Sequence, residues 1–226
     1  MTPSVAPKKT YEEGTPGYWR RRLGLRLVVL ALGLAVVSGF GYIMRKNAPP
    51  PPLATYGHVP VFQLVDQSGA PFTDGNLDGH VSVVDFIFTR CAASCPRLTA
   101  KMAELQGRLP REGSGARLVS FSVDPENDTP PVLADYAKHA GADPARWSFV
   151  TGPVETLKAV VVSGFKVALE KLPTTKNGTN DYDVTHGDWF VLVDARGAIR
   201  GYYTTDDAKD VDRLVHDALR LEKGES

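Results

Sequence analysis

The two cysteines of the chain, Cys91 and Cys95, are separated by only three residues, in the stretch TRCAASCP. Pro96 follows the second cysteine and suits the first turn of a helix. We expect Cys95 at or near the N-cap, where unpaired backbone N–H groups point towards the sulfurs. Such an environment favours thiolate and lowers a cysteine pKa. Thiolates carry out disulfide exchange and bind soft metals, so the motif indicates redox or metal chemistry.

A purely structural disulfide is the alternative reading of this motif. In the chain-entropy model, a loop this small contributes on the order of 2 kcal/mol, against nearly 5 kcal/mol for a loop of about 100 residues. A domain using its only cystine for stability would gain more by linking distant elements. The spacing therefore favours chemistry over stabilisation.

A possible third donor, His186, lies far downstream in the stretch DYDVTHGDWFVLVD. Without knowledge of the fold, a surface position is the more frequent one for a histidine such as His186. If the fold brings it to the cysteines, two thiolates and an imidazole converge, and this donor set favours Cu(I), with Zn(II) next. The other histidines lie at positions typical of solvated side chains: His58, His80, His139 and His216.

Strands and helices alternate from about residue 58 onwards. Apolar and β-branched runs predict strands at 59–66, 81–88, 117–123, 147–150, 189–194 and 198–204. Helical spacing and proline positions predict helices at 96–109, 129–140, 153–161 and 211–221. Pro60 indicates an edge position for the first strand. The last two strands form a hairpin.

This order predicts an α/β, thioredoxin-like fold, in which a mixed central sheet is flanked by helices. In such a fold, the loop before the strand at 189–194 faces the end of the first helix, where the cysteine motif lies. The polar stretch 165–185 is long for a loop in a compact domain, and such loops are usually functional or disordered.

An N-terminal transmembrane helix is predicted at residues 27–44, a run of 18 residues without a charge that would span about 27 Å. A cleaved signal peptide is disfavoured, because the run exceeds the usual apolar region of about 7–15 residues and no A-x-A-like site follows. Basic residues concentrate on the N-terminal side, at 20–26, and this predicts a cytoplasmic N-terminus. We expect a single pass through the cell (inner) membrane, with an extracytoplasmic, periplasmic domain.

The predicted organisation is a cytoplasmic segment at 1–26, the anchor at 27–44, a proline-rich spacer at 45–57 and the globular domain at 58–222. After the first 46 residues, the chain carries 18 basic against 24 acidic residues. A mildly acidic domain without a basic stripe gives no reason to expect nucleic-acid binding.

Three stretches of the domain resemble the Sco/SenC family of membrane-anchored copper proteins: FIFTRCAASCP, FSVDPENDTP and DYDVTH before FVLVD. The resemblance covers about 55–222. It implies a thioredoxin-like fold that binds copper, as Cu(I) or Cu(II), through Cys91, Cys95 and His186. It further implies assembly of the dinuclear copper centre of cytochrome c oxidase, with the subunit carrying that centre as partner, and other copper chaperones or thioredoxin-like reductants as further partners.

The chain departs from the family pattern at two positions. Ala92 stands where the family usually has proline, which loosens the loop holding Cys91. Thr185 stands where the family often has aspartate, which removes a charge beside His186. Neither departure removes a ligand.

Three other function classes compete with copper delivery, and a thiol-disulfide oxidoreductase is the main alternative. A thiol-disulfide oxidoreductase would use Cys91 and Cys95 as a redox-active pair, on cysteines of the oxidase subunit or of other exported proteins. Thioredoxins, however, place two residues between their cysteines, whereas this chain places three. They also have a cis-proline before the facing strand, and this sequence has no proline between Thr185 and Asp194. A peroxidase would need a Thr-x-x-Cys motif, and Thr89 lies only two positions before Cys91. A scaffolding domain would leave the cysteines and His186 unexplained. As a copper chaperone, the chain would not be an enzyme.

Overall fold

The computed structural model describes residues 16–46, 50–91, 95–109, 115–167, 169–171, 182–184 and 189–224. Three residues singled out from the sequence, Ala92, Thr185 and His186, lie outside these ranges, as do residues 1–15 and 47–49. The chain divides into two compact units, residues 1–51 and 52–226.

The first unit contains one long helix, α1 (Pro16–Lys46). It extends beyond the apolar run 27–44 at both ends, because the flanking arginines and lysine are good helix formers. Its apolar side chains are mostly more than half exposed, from Leu23 to Met44. Among the described residues, the segment Arg22–Lys46 is the one helix long and apolar enough to cross a membrane. The predicted apolar N-terminal helix is therefore present.

The second unit is built on an eight-stranded sheet. Its strands are β1 (Gly57–His58), β2 (Gln63–Asp66), β3 (Pro71–Thr73), β4 (Ser82–Ile87), β5 (Arg117–Ser122), β6 (Trp147–Thr151), β9 (Trp189–Val193) and β10 (Ala198–Thr204). Their order in the sheet is β1-β10-β9-β4-β5-β6-β2-β3. Two short strands, β7 (Leu169–Lys171) and β8 (Tyr182–Val184), form a separate antiparallel pair.

Four helices accompany the sheet: α2 (Cys95–Arg108), α3 (Pro130–His139), α4 (Val154–Lys158) and α5 (Ala208–Glu222). A π-helical segment, Ala159–Gly164, continues α4, and a short 3-10 turn, Asp74–Asn76, follows β3. The predicted order of strands and helices is thus present from β4 onwards.

The sheet is mixed, as predicted. Strands β4, β5 and β6 run parallel, whereas β9 runs antiparallel to β4. Alternate residues of β4 face opposite sides of the sheet. Val83 and Ile87 join a core with residues of α2, α3 and α5, while Val84 and Phe86 join a second core with residues of α4 and its π-helical continuation. Both faces of β4 are therefore buried, which explains why its sequence is mostly apolar.

The first strand differs from its prediction over 59–66. Only its second half forms β2, and β2 lies between β6 and β3 rather than at the sheet edge. Pro60 lies in the link between β1 and β2, which needs no donor from a proline nitrogen.

Part of the predicted spacer 45–57 is bound to the sheet rather than independent of it. The Tyr56 N–H donates to the Ile199 carbonyl (2.8 Å), and Gly57 pairs with Ile199 as part of β1. The prolines of the spacer, at positions 49–52, all precede this pairing in the sequence.

Candidate functional site

Cys91 lies at the carboxyl end of β4, on a tight turn. The turn spans Phe88–Cys91, and the Cys91 N–H closes it by donating to the Phe88 carbonyl at 3.2 Å. The neighbouring strand supports its start, because the Val123 N–H donates to the Ile87 carbonyl at 2.8 Å. Cys91 is half-buried.

Cys95 is the first residue of α2 and is 4% exposed. Its backbone N–H donates to Cys91 Sγ at 3.4 Å. The sulfur thus accepts from one of the N–H groups that a helix start leaves without an intrahelical partner. The sequence-based expectation that such groups point to a sulfur holds here. No disulfide joins Cys91 to Cys95 in this structure.

The expected lowering of the cysteine pKa is wrong for Cys95. Burial raises the pKa of the Cys95 thiol well above its ordinary value, and hydrogen bonding with the Cys91 side chain raises it further. A hydrogen bond from the Phe88 backbone lowers it only in part. Desolvation disfavours the thiolate more than the helix start favours it. In the metal-free protein, Cys95 therefore holds its proton, and a bound metal ion would have to displace it.

A polar group lies beneath the cysteines, between α2 and α3. Thr99 Oγ1 and Tyr136 Oη are 2.7 Å apart. Burial raises the pKa of Tyr136 to about 12, with smaller contributions from Cys95 and Asp85. Asp85 is fully buried and lies on the face of β4 that packs against α2. Sequence reasoning missed Asp85, although a carboxylate inside the apolar run VSVVDFIF was a signal.

The third predicted donor, His186, lies outside the described residues. Strand β9 begins three residues later, at Trp189. Because Val191 pairs with Val84 and Val193 with Ser82, the start of β9 lies at the carboxyl end of β4, where Cys91 is. Among the described residues, no group of three or more His, Cys, Asp and Glu side chains is placed to hold a metal ion.

Sequence reasoning also missed two aspartates of the loop that follows β5. Asp124 and Asp128 belong to the stretch SVDPENDTP and are 4% and 0% exposed. Both contact the turn that carries Cys91. The signal was topological: parallel neighbours such as β4 and β5 end at the same sheet edge, so their following loops meet there.

Comparisons with known proteins agree with this architecture. A family model described as SCO1/SenC matches residues 52–221. The SCO1 protein homolog of Bacillus subtilis (strain 168) is 33% identical over 157 residues, which cover 69% of this chain and 78% of that protein.

Two solved structures share the fold. Bradyrhizobium japonicum ScoI with copper bound gives a TM-score of 0.62 at 25% identity, covering 73% of this chain and 99% of that chain. BsSco, described as a member of the Sco family of cytochrome c oxidase assembly proteins with a disulfide switch, gives 0.63 at 30% identity, covering 76% and 96%. These likenesses confirm the thioredoxin-like fold class, and with the family model they show that the chain belongs to the SCO1/SenC family.

Proposed function

We propose that the chain is a membrane-anchored copper chaperone, which delivers copper to the dinuclear copper centre of cytochrome c oxidase and assists its assembly. Cys91, Cys95 and His186 hold the ion, and the oxidase subunit that carries the centre receives it. Other copper chaperones or thioredoxin-like reductants load or reduce the site. Copper is cargo in this proposal, and the chain is not an enzyme.

The observation that carries the proposal is the placement of the two cysteines. The Cys95 N–H lies 3.4 Å from Cys91 Sγ, so both cysteines meet at one sheet edge, on the first turn of a helix. Two sulfurs in one place form a soft donor set, and soft donors select Cu(I) over harder divalent ions. Cys95 is buried while Cys91 is half-buried, so an ion held between them would be reachable from one side.

The register of β9 supports His186 as the third ligand. Trp189 lies at the cysteine end of β4, and a chain of three residues spans at most about 11 Å. This short chain length from β9 is what supports His186 as a ligand in the proposal. The copper-bound ScoI structure supports copper as the ion. Ala92 and Thr185 alter the surroundings of the site but remove none of the three ligands.

Copper stoichiometry tests the proposal directly. The full chain in detergent should bind one Cu(I) per molecule under anaerobic conditions, with binding lost in Cys91→Ser and in Cys95→Ser. Ser68→Ala, in an exposed turn, is the matched control and should bind as the unaltered chain does. Undiminished copper content in the double cysteine variant would overturn the assignment of this site.

The membrane orientation is a second part of the proposal. The arginines at 20–26 favour a cytoplasmic N-terminus and a domain outside the cytoplasm. A reporter that is active only after export, fused behind Ser226, should be active. Activity of a cytoplasmic reporter at that position instead would refute this orientation.

A second candidate function is thiol-disulfide exchange, and the unequal exposure of the two cysteines favours it. Cys91 is half-buried and can be reached by a partner, whereas the buried Cys95 can resolve the mixed disulfide. The disulfide switch described for BsSco fits the same pair. In this function, the chain reduces cysteines of the oxidase subunit or of other exported proteins.

A further inference from the structure

The turn that carries Cys91 is held from outside at both of its central residues. Thr89 and Arg90 occupy the middle of the turn that the Cys91 N–H closes on Phe88. The loop after β5 reaches each of them with one aspartate: Asp128 contacts Thr89, and Asp124 contacts Arg90.

Asp128 is the more deeply buried of the two aspartates. Its side chain accepts from the Thr89 N–H, at 3.2 Å and 3.3 Å to its two oxygens, and from the Thr89 hydroxyl at 2.5 Å. The Ser122 hydroxyl donates to it at 2.6 Å. Burial raises the pKa of Asp128, and the hydrogen bonds from Ser122 and Thr89 oppose that rise. A buried carboxylate with three donors fixes both the backbone and the side chain of Thr89.

The ion pair between Asp124 and Arg90 stabilises the turn less, because it is partly open to water. Arg90 Nη2 lies 2.8 Å and Nε 3.1 Å from Asp124 Oδ2, but the arginine side chain is 37% exposed. Ion pairs open to water contribute little. Asp124 also accepts from the Asn127 side chain at 2.8 Å, so it organises its own loop as well.

Backbone hydrogen bonds hold part of this loop independently of the Asp128 side chain. The N–H groups of Asn127 and Asp128 both donate to the Asp124 carbonyl, at 3.1 Å and 2.9 Å. The Asp124 N–H donates to the Ser122 hydroxyl at 3.1 Å. The Asp128 carboxylate, which also accepts from the Ser122 hydroxyl, therefore joins this loop to the turn before Cys91.

We propose that Asp128 is a positioning residue, which fixes the Thr89–Arg90 turn and thereby sets the effective concentration of the Cys91 thiol opposite Cys95. The inference rests on the use of this cysteine pair in the proposed function, but not on copper. It assigns a role to the stretch SVDPENDTP.

The measurable step is disulfide formation in the metal-free protein. Cys91 and Cys95 lose two protons and two electrons as their S–S bond forms, and glutathione disulfide takes these up to become two glutathione thiols. The equilibrium constant of this exchange reports the effective concentration of one thiol at the other. A looser turn lowers it and makes the disulfide easier to reduce.

The test uses the full chain in detergent, equilibrated with glutathione buffers. Asp128→Asn should lower the equilibrium constant about tenfold, equivalent to a midpoint potential about 30 mV less negative. Thr89→Val, which removes only the hydroxyl, should lower it about threefold. If Asp128→Asn does not fold, Thr89→Val decides the question alone.

Asp217→Asn is the matched control for a purely structural effect. Asp217 of α5 is also a buried carboxylate, and it accepts from the Tyr203 hydroxyl at 2.9 Å. The Asp217→Asn variant should lower the unfolding midpoint without changing the disulfide equilibrium by more than about twofold. An unchanged equilibrium in Asp128→Asn, or an equal change in Asp217→Asn, overturns the proposal. A changed equilibrium in a chain that binds no copper would refute the copper function and leave this inference standing.

Discussion

Arg200 Nη2 lies 2.8 Å from the carbonyl oxygen of Leu53, a residue 147 positions earlier in the chain. The same guanidinium contacts Asp194 Oδ2 at 3.2 Å, and the two side chains are only 10% and 11% exposed. Arg200 thus joins the segment before β1 to the hairpin β9–β10, and its ion pair with Asp194 is nearly buried. Removing one partner of such a pair leaves a charge without its counterion in a poorly solvated place.

We expect Arg200→Met to lower the free energy of unfolding by about 2 kcal/mol or more, measured by urea denaturation. Backbone N–H groups of Arg196 and Ala198 still donate to Asp194, and this limits the loss. Lys158→Met is the control, because its pair with Glu155 is exposed, and it should change the value by at most about 0.5 kcal/mol. Equal losses in the two variants would contradict this account.

Gly164 is expected to be intolerant of a side chain, because of its contact with Pro60. A Cβ at this position would lie 2.5 Å from Pro60 Cδ and 2.7 Å from Pro60 Cγ, and a proline ring cannot rotate away. Gly164→Ala should therefore destabilise the chain by about 1–3 kcal/mol. Gly107→Ala has open space in α2 and should be neutral or stabilising by about 0.5 kcal/mol. Thermal or urea unfolding distinguishes the two, and a neutral Gly164→Ala would show that the contact relaxes freely.

The two cysteines should react with alkylating reagents at very different rates. Cys91 is half-buried, whereas Cys95 is 4% exposed and its thiol pKa is raised by burial. At neutral pH, iodoacetamide should modify Cys91 at least tenfold faster, as followed by mass spectrometry of peptides. Denaturation in urea should abolish the difference. Faster labelling of Cys95 in the native chain would contradict the burial seen here.

Stability should fall in alkaline solution, in part because of Tyr136. Its pKa is raised from 10 to about 12, chiefly by burial, so the native state keeps a proton that the unfolded chain releases. The contribution of Tyr136 to the free energy of unfolding is therefore complete below about pH 10 and is lost as the pH rises from about 10 to 12. Tyr136→Phe should show a shallower decline of the urea midpoint across that interval. Parallel declines in the two proteins would exclude Tyr136 as a source of the effect.

The sequence predicts the elements that carry the cysteines, β4 and α2, better than the first strands of the domain. The apolar run that became β4 and the helical spacing after Pro96 both depend on local periodicity, which the sequence displays directly. The β-branched and aromatic residues of the link 59–62 predict a strand, but Pro60 and tertiary pairing decide otherwise.

The chemistry of the site was less predictable than its residues. A helix start lowers a cysteine pKa in isolation, but the depth at which Cys95 is packed is set by α2, α3 and the sheet together. The contact of Asp128 with Thr89 joins residues 39 positions apart and depends on the parallel pairing of β4 with β5. Neither the burial of Cys95 nor the contact between Asp128 and Thr89 can be recognised from a local sequence pattern.

The last prediction separates copper delivery from thiol exchange, and it depends on His186. Disulfide exchange needs only two sulfurs, whereas a Cu(II) site needs the third donor because thiolates alone tend to reduce that ion. We expect His186→Ala to lose the Cu(II)–thiolate absorption and to weaken Cu(I) binding, while the Cys91–Cys95 pair still cycles with a dithiol reagent. In cells, it should impair oxidase assembly in a way that added copper partly rescues. His139→Ala, a substitution of an exposed histidine near the end of α3, is the control and should assemble oxidase normally. If His186→Ala also assembles oxidase normally at limiting copper while Cys95→Ser does not, thiol exchange is the function, and copper delivery is not.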